Sequence, residues 1–152
     1  MGVGHVPQDP VHPEGEGAEL QGRERGGAPR RHAPRHGRDR TARIARARWA
    51  EDLVARWYAR RGFTVIARNW TMRGGELDVV ARRGNLVVVC EVKARAGDSH
   101  GSAWEAFTPL KQQRVRRAGT AFLRAEGITG VRLRFDAAAV TGTSLEVRED
   151  AF

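Results

Sequence analysis

Two strand-like arms joined by a short turn constrain this chain more than any other stretch. Residues 75–80 read Gly-Glu-Leu-Asp-Val-Val and residues 86–93 read Leu-Val-Val-Val-Cys-Glu-Val-Lys, with Arg83-Gly84-Asn85 between them. The first arm alternates, so Glu76, Asp78 and Val80 point one way and Leu77, Val79 and Ala81 the other. The second arm is β-branched and apolar until Glu91, the pattern of a buried central strand. If Gly84 and Asn85 form a two-residue turn, Asp78 faces Glu91 and Glu76 faces Lys93. Directly opposed β-carbons stand about 4.5–5.5 Å apart. A slip of one residue in the turn would break this pairing.

Two carboxylates that close, on a strand otherwise built for a core, repel one another and are costly to bury. A divalent cation would compensate them, and carboxylate oxygens suit Mg²⁺ or Mn²⁺. Lys93 would then stand beside the metal and hold a water. The competing reading is an amphipathic strand with its polar face in water and Lys93 as a salt-bridge partner. Spacing alone leaves both open.

Upstream, residues 41–61 have helical periodicity, with Ala47, Ala50, Val54, Trp57 and Tyr58 on one face. At about 100° per residue, Glu51 falls about 40° from Ala47, inside the apolar stripe, while Asp52 points towards solvent. Glu51 therefore needs a partner, either a nearby arginine or a metal. Gly62 ends the helix. Residues 63–68 alternate as a first strand, and residues 69–75 connect it to the hairpin, with Trp70 read as packing. Arg73 beside the hairpin and Arg95 beyond it are candidate phosphate contacts. Residues 96–102 read as a loop carrying His100. Thr108-Pro109 is a helix start with an N-cap and proline in the first turn, and the helix runs to about Glu126. Lys111 shares a stripe with Val115, Ala118 and Phe122. It is either a phosphate ligand at a helix N-terminus or a lysine snorkelling from the end of the stripe. Arg114 adds to a basic outer face. Residues 131–140 alternate as a further strand, and residues 145–147 form a short edge.

Residues 1–40 are rich in Gly, Pro, Arg and His and nearly devoid of large apolar side chains, so they are expected to be a disordered extension ahead of a domain over residues 41–152. The net charge of +9 favours a polyanionic partner, with nucleic acid first among them. Of 27 basic residues only Lys93 and Lys111 are lysine. A compact ammonium is not imitated by the planar fork of arginine, which hints that these two positions need it. The single cysteine, Cys90, excludes an internal disulfide or a cysteine-rich zinc site. No apolar run approaches the roughly 20 residues that span a membrane, and no hydrophobic signal segment opens the chain. No membrane partner is expected, and the cytoplasm is the expected location.

Asp78 followed by Glu91-Val92-Lys93 resembles the PD-(D/E)XK nuclease signature. With Gly75-Glu76-Leu77-Asp78 before it and Ala94-Arg95 after it, the stretch resembles the YraN family of endonuclease-like proteins, relatives of archaeal Holliday-junction resolvases. The likeness runs from about Ala47 to Val140. It implies an α/β, restriction-endonuclease-like core in which a helix, three strands, a helix and a strand surround a mixed sheet. It also implies Mg²⁺- or Mn²⁺-dependent hydrolysis of phosphodiester bonds in nucleic acid, with branched or structured DNA favoured. Under it Asp78, Glu91 and Glu51 hold the metal, Lys93 positions the attacking water, and Lys111 with Arg95, Arg73 and Arg114 contacts nucleic acid. A homodimer acting on symmetrical junctions would fit. Ala50-Glu51 stands where the family usually has Gly-Glu. The rival reading is a nucleic-acid-binding protein that keeps the nuclease fold without turnover.

Overall fold

The computed structural model describes residues 35–97 and 103–152. The stretch before residue 35, and His100 in the loop after the motif strand, lie outside the described residues.

Helix α1 spans Arg35–Arg60. It starts ahead of residue 41, where the apolar periodicity begins, because Arg35, Arg38 and Arg40 favour helix without needing a core partner. Gly62 takes φ +77°, and the N–H groups of Gly62 and Phe63 donate to the carbonyls of Ala59 and Tyr58 at 3.1 and 3.2 Å. A left-handed glycine thus closes the helix.

Five strands follow: β1 Thr64–Met72, β2 Gly75–Arg83, β3 Leu86–Arg95, β4 Arg132–Thr141 and β5 Ser144–Arg148. Their order in the sheet is β1-β2-β3-β4-β5. β3 and β4 run parallel, and the other neighbours are antiparallel. The parallel pair requires a crossover, which is helix α2, Pro109–Ala125, capped by the Thr108 hydroxyl. The element order is the expected one. β1, however, continues through Asn69 and Trp70, where a connection was expected. Trp70 packs edge-on against Phe122 at 5.5 Å, and this burial holds the strand in the sheet, so the real turn is only Arg73-Gly74, with Gly74 at φ +85°.

The two helices cover opposite faces. Ala50, Val54 and Tyr58 of α1 pack with Leu86, Val88 and Cys90, while Val115, Ala118 and Phe122 of α2 pack with Val87 and Val89. The alternation along β3 separates these layers. A methyl on Gly119 would stand 3.0 Å from a Phe135 ring carbon, so glycine lets α2 settle close to β4.

The hairpin register matches expectation from Arg83↔Leu86 to Val79↔Cys90 and then stops. Asp78 and Glu91 are therefore not ladder partners, nor are Glu76 and Lys93. The sheet forks here: β2 stays with β1 down to Gly75, and β3 stays with β4 out to Arg95. The side chain of Asp78 replaces the missing backbone pairing, its Oδ2 accepting from the Val92 N–H at 2.7 Å. The same twist breaks the simple alternation of β2. Leu77 joins Val80 in the α2 layer, whereas Val79 and Ala81 pack under α1. Among the described residues, no helix is long and apolar enough to cross a membrane.

Candidate active site

The fork opens a cleft of about 280 Å³ lined by residues of α1, β1, β2, β3, α2 and the short 3-10 turn Ala103–Ala106, with Phe107 beside it. Glu51, Asn69, Glu76, Asp78, Glu91, Lys93 and Lys111 all line it. Residues far apart in sequence meet here because α1 approaches the fork from one face of the sheet and α2 from the other.

Each carboxylate is held differently. Glu91 is buried; its Oε1 takes the Lys111 ammonium at 2.5 Å. Its Oε2 is buried with no hydrogen-bond partner. Buried polar atoms are nearly always satisfied, so this oxygen, facing an acid-lined cleft, asks for a cation or a proton. Asp78 is pushed up to about 7, first by burial and then by the Glu91 charge beside it, against the Val92 N–H that favours its ionised form. Glu51 is buried. Its Oε2 accepts from Asn69 Nδ2 at 2.8 Å, with an Arg68 Nη2 at 3.8 Å. Burial raises its pKa, the Asn69 bond acts against that, and the Asp78 charge adds to it. Among the described residues no three His, Cys, Asp or Glu side chains converge to hold a metal. What the site offers is a pair, Asp78 and Glu91, with Glu51 held aside by Asn69. That pair, with one unsatisfied buried oxygen and one carboxyl raised to about 7, fits the donor preference of a hard divalent cation.

The lysines divide the work differently from the sequence reading. A salt bridge from Lys93 to the acids is one of the two sequence readings; in the structure Lys111, read as a phosphate ligand or a snorkelling lysine, is the one that pairs with Glu91. Burial lowers the pKa of Lys111, but its hydrogen bond and charge pairing with Glu91, with Asp78 and Glu76 nearby, outweigh this and leave it raised. Lys93 is exposed at the cleft.

Of the other candidate contacts, Arg114 lines the neighbouring cavity together with Lys111 and Glu76. Arg73 lies exposed in the β1–β2 turn and lines neither space. Arg95 is half-buried at the end of β3 and lines neither as well. Asn69 escaped the sequence reading. It adopts φ +49°, a left-handed conformation that Asn tolerates better than most residues, and this turns its amide to Glu51. Its only sequence signal is an Asn interrupting a strand.

The raised Asp78 has a thermodynamic consequence. Its folded pKa exceeds the unfolded value, so the native state binds more protons than the unfolded chain between about pH 4 and 7, and stability falls as pH rises through that window. Asp78→Asn is therefore expected to melt higher than the metal-free wild type at pH 8, with the gap closing towards pH 4. Thermal unfolding in EDTA at the two pH values checks it; an equal or lower melting temperature at pH 8 would show that Asp78 carries no such penalty.

Residues 50–140 match the profile of Uncharacterised protein family UPF0102. The chain is 46% identical over 101 residues to a UPF0102 protein of Kineococcus radiotolerans, covering 66% of this chain and 83% of that one. It is 45% identical over 91 residues to a UPF0102 protein of Acidothermus cellulolyticus, covering 60% and 69%. A UPF0102 protein of Leifsonia xyli subsp. xyli is 42% identical over 93 residues, with 61% and 79% covered. The matched region holds every cleft residue named above.

Proposed function

The chain belongs to UPF0102, the YraN family, and from that premise we propose that it is a metal-dependent endonuclease hydrolysing phosphodiester bonds in nucleic acid, with branched or structured DNA favoured. The observation that carries this reading is the fork in the sheet, which gathers Asp78, Glu91, Lys93 and Lys111 around a buried carboxylate oxygen without a partner. The succession of a helix, an antiparallel three-strand meander, a crossover helix and a parallel fourth strand also agrees with a restriction-endonuclease-like core. A net charge of +9 suits a polyanionic substrate.

Asp78 and Glu91 would hold Mg²⁺ or Mn²⁺, with Glu51 behind them. The ion supplies Lewis-acid stabilisation of charge on the scissile phosphate. Lys93 orients the attacking water by a hydrogen bond and offsets negative charge as water adds to phosphorus. Lys111 and Arg114 would hold the phosphodiester so that the leaving oxygen lies opposite the incoming one; the attacking water gives a proton to solvent, the P–O bond to the leaving oxygen breaks, and that oxygen takes up a proton from solvent.

Metal binding can be read without turnover. Protons compete with the ion at Asp78, so the rise in melting temperature on adding Mn²⁺ is expected to grow between pH 6 and pH 8 and to be absent in Asp78→Asn. Turnover is tested with labelled linear, flapped and four-way-junction DNA and single-stranded RNA, in Mg²⁺ or Mn²⁺. Metal-dependent cutting of at least one substrate is the expected result. Binding without cutting under both metals would replace the nuclease with a non-catalytic nucleic-acid-binding protein.

A further inference from the structure

The cleft does not end at Lys111. It shares Glu76 and Lys111 with a cavity of about 560 Å³ that runs between α2 and the β1–β2 turn. That cavity in turn shares Met72 with a third, of about 370 Å³, on the outer side of α2. The three form one trough leading away from the acids. We propose that its distal part, formed by Met72, Arg117, Thr120 and Arg124, is a second binding site that takes the sugar-phosphate backbone of a nucleic-acid strand as it leaves the cleft. The proposal rests on the hydrolase reading for its direction, but the site itself is defined by charge and shape.

Three features point to a polyphosphate. First, the charges beyond the cleft are nearly all of one sign. Lys111, Arg114, Arg117 and Arg124 stand along α2, against Glu76 as the single acid lining the two outer cavities. Arg114, Arg117 and Arg124 make no ion pair among the described residues, so their charge is available to a ligand. Arg116, beside them, instead lies over the Phe135 ring at 5.5 Å. Second, the spacing fits. Lys111 to Arg124 spans about 20 Å at 1.5 Å per helical residue, a length that meets about six phosphates of one strand at 3.4 Å each. Positions 111, 114 and 117 recur at three-residue intervals and form one inclined row, and Arg124 stands about two turns beyond Arg117 on the same side of the helix. Third, Met72 is an exposed apolar side chain, 37% accessible, at the junction of the two cavities. It offers a sugar or base face a surface that a fully charged groove would lack. The Thr120 hydroxyl already donates to the Arg116 carbonyl at 3.1 Å, so the arginines supply the donors to the phosphates.

The test is binding in EDTA, where hydrolysis is silent. The probes are fluorescent DNA duplex and single-stranded DNA and RNA oligonucleotides, titrated over a range of NaCl. The variants are Arg117→Gln/Arg124→Gln and, on the α1 face of the sheet, Arg56→Gln/Arg60→Gln. Both pairs remove two charges from exposed helical positions, and thermal unfolding confirms that both fold; Arg117→Gln alone provides a milder check. Each lost phosphate contact reduces the slope of log affinity against log salt by about 0.9 on duplex and about 0.7 on a single strand. The α2 pair is therefore expected to flatten the slope by about 1.8 or about 1.4, and the α1 pair to leave it unchanged. An unchanged slope in the α2 pair, or equal flattening in both pairs, overturns the site. Equal competition by polyglutamate of matched length overturns its assignment to nucleic acid. Cutting by the wild type with Mg²⁺ is scored separately. A flattened slope without cutting keeps the groove and removes the hydrolase; cutting with an unchanged slope does the reverse.

Discussion

Lys93→Ala is expected to lower hydrolysis by about 10²–10⁴-fold, the usual loss when a group that positions or exchanges a proton is removed, while leaving Mn²⁺ binding almost intact. The separation follows from where the two lysines sit. Lys111 is already engaged, its ammonium 2.5 Å from Glu91. Lys93 lies exposed on the same cleft and makes no ion pair among the described residues. It is therefore the ammonium able to meet a water arriving at the acids. Lys93→Arg is expected to recover little, because a planar guanidinium cannot take the place of a point charge with three rotatable donors. Lys111→Ala should behave in the opposite way. With the competing ammonium gone, Glu91 binds Mn²⁺ more tightly, whereas KM for nucleic acid rises. The measurements are kcat and KM for each variant beside a metal titration followed by melting temperature. Lys93→Ala that keeps wild-type kcat would remove Lys93 from the chemistry. Lys93→Ala that loses Mn²⁺ binding would make it part of the metal site's support.

Much of this arrangement is legible before any coordinates. Period-two alternation and the Gly84-Asn85 turn give the hairpin register down to Val79↔Cys90, because a buried strand tolerates no slip. Thr108-Pro109 and Gly62 mark helix ends through local backbone chemistry, which acts over a few residues. The fork is a different matter. Whether β2 follows β1 or β3 beyond Val79 depends on competition between two ladders, and that is decided by neighbours distant in sequence. The turn therefore fixes where Asp78 and Glu91 meet but not how: a side chain caps the Val92 N–H at 2.7 Å in place of a ladder bond. The same limit hid Lys111 as the partner of Glu91, since α2 is placed by packing against the sheet and not by spacing from the motif. Glu51 was legible as a carboxylate in an apolar stripe, but its Asn69 anchor was not, because the left-handed turn at Asn69 leaves only a weak local trace.

Replacing Asp136 should have the largest effect on stability. It sits in a stretch that alternates Val131, Leu133 and Phe135 with Arg132, Arg134 and Asp136. In the structure Asp136 is fully buried. Its Oδ2 accepts from the Tyr58 hydroxyl at 2.6 Å and from Arg134 Nη2 at 2.8 Å, and its Oδ1 accepts from Arg134 Nε at 2.9 Å. The Asp150 N–H adds a fourth bond at 2.9 Å. One carboxylate thus ties α1, β4 and the C-terminal segment together. Arg134, itself mostly buried, has its pKa lowered by that burial, but the bond and charge of Asp136 more than reverse the effect. Burial first, and then the charges around it, push the Tyr58 hydroxyl well above the ordinary tyrosine range, so it remains a donor throughout the working pH. Asp136→Ala would leave Tyr58 facing an apolar layer without its acceptor and Arg134 with Glu149 alone, 2.8 Å from its Nη1. Breaking a buried pair in this way costs about 3–5 kcal/mol, a drop in melting temperature on the order of 10–20 °C for a domain of this size. Tyr58→Phe removes one bond to a charged group and should cost less, about 1.5–3 kcal/mol. Because both changes act on the same carboxylate, the double variant should be little worse than Asp136→Ala alone. Denaturant unfolding of the three proteins measures this directly. Strict additivity would mean that Tyr58 and Asp136 contribute independently, and that the bond between them is not what holds α1 to the end of the chain.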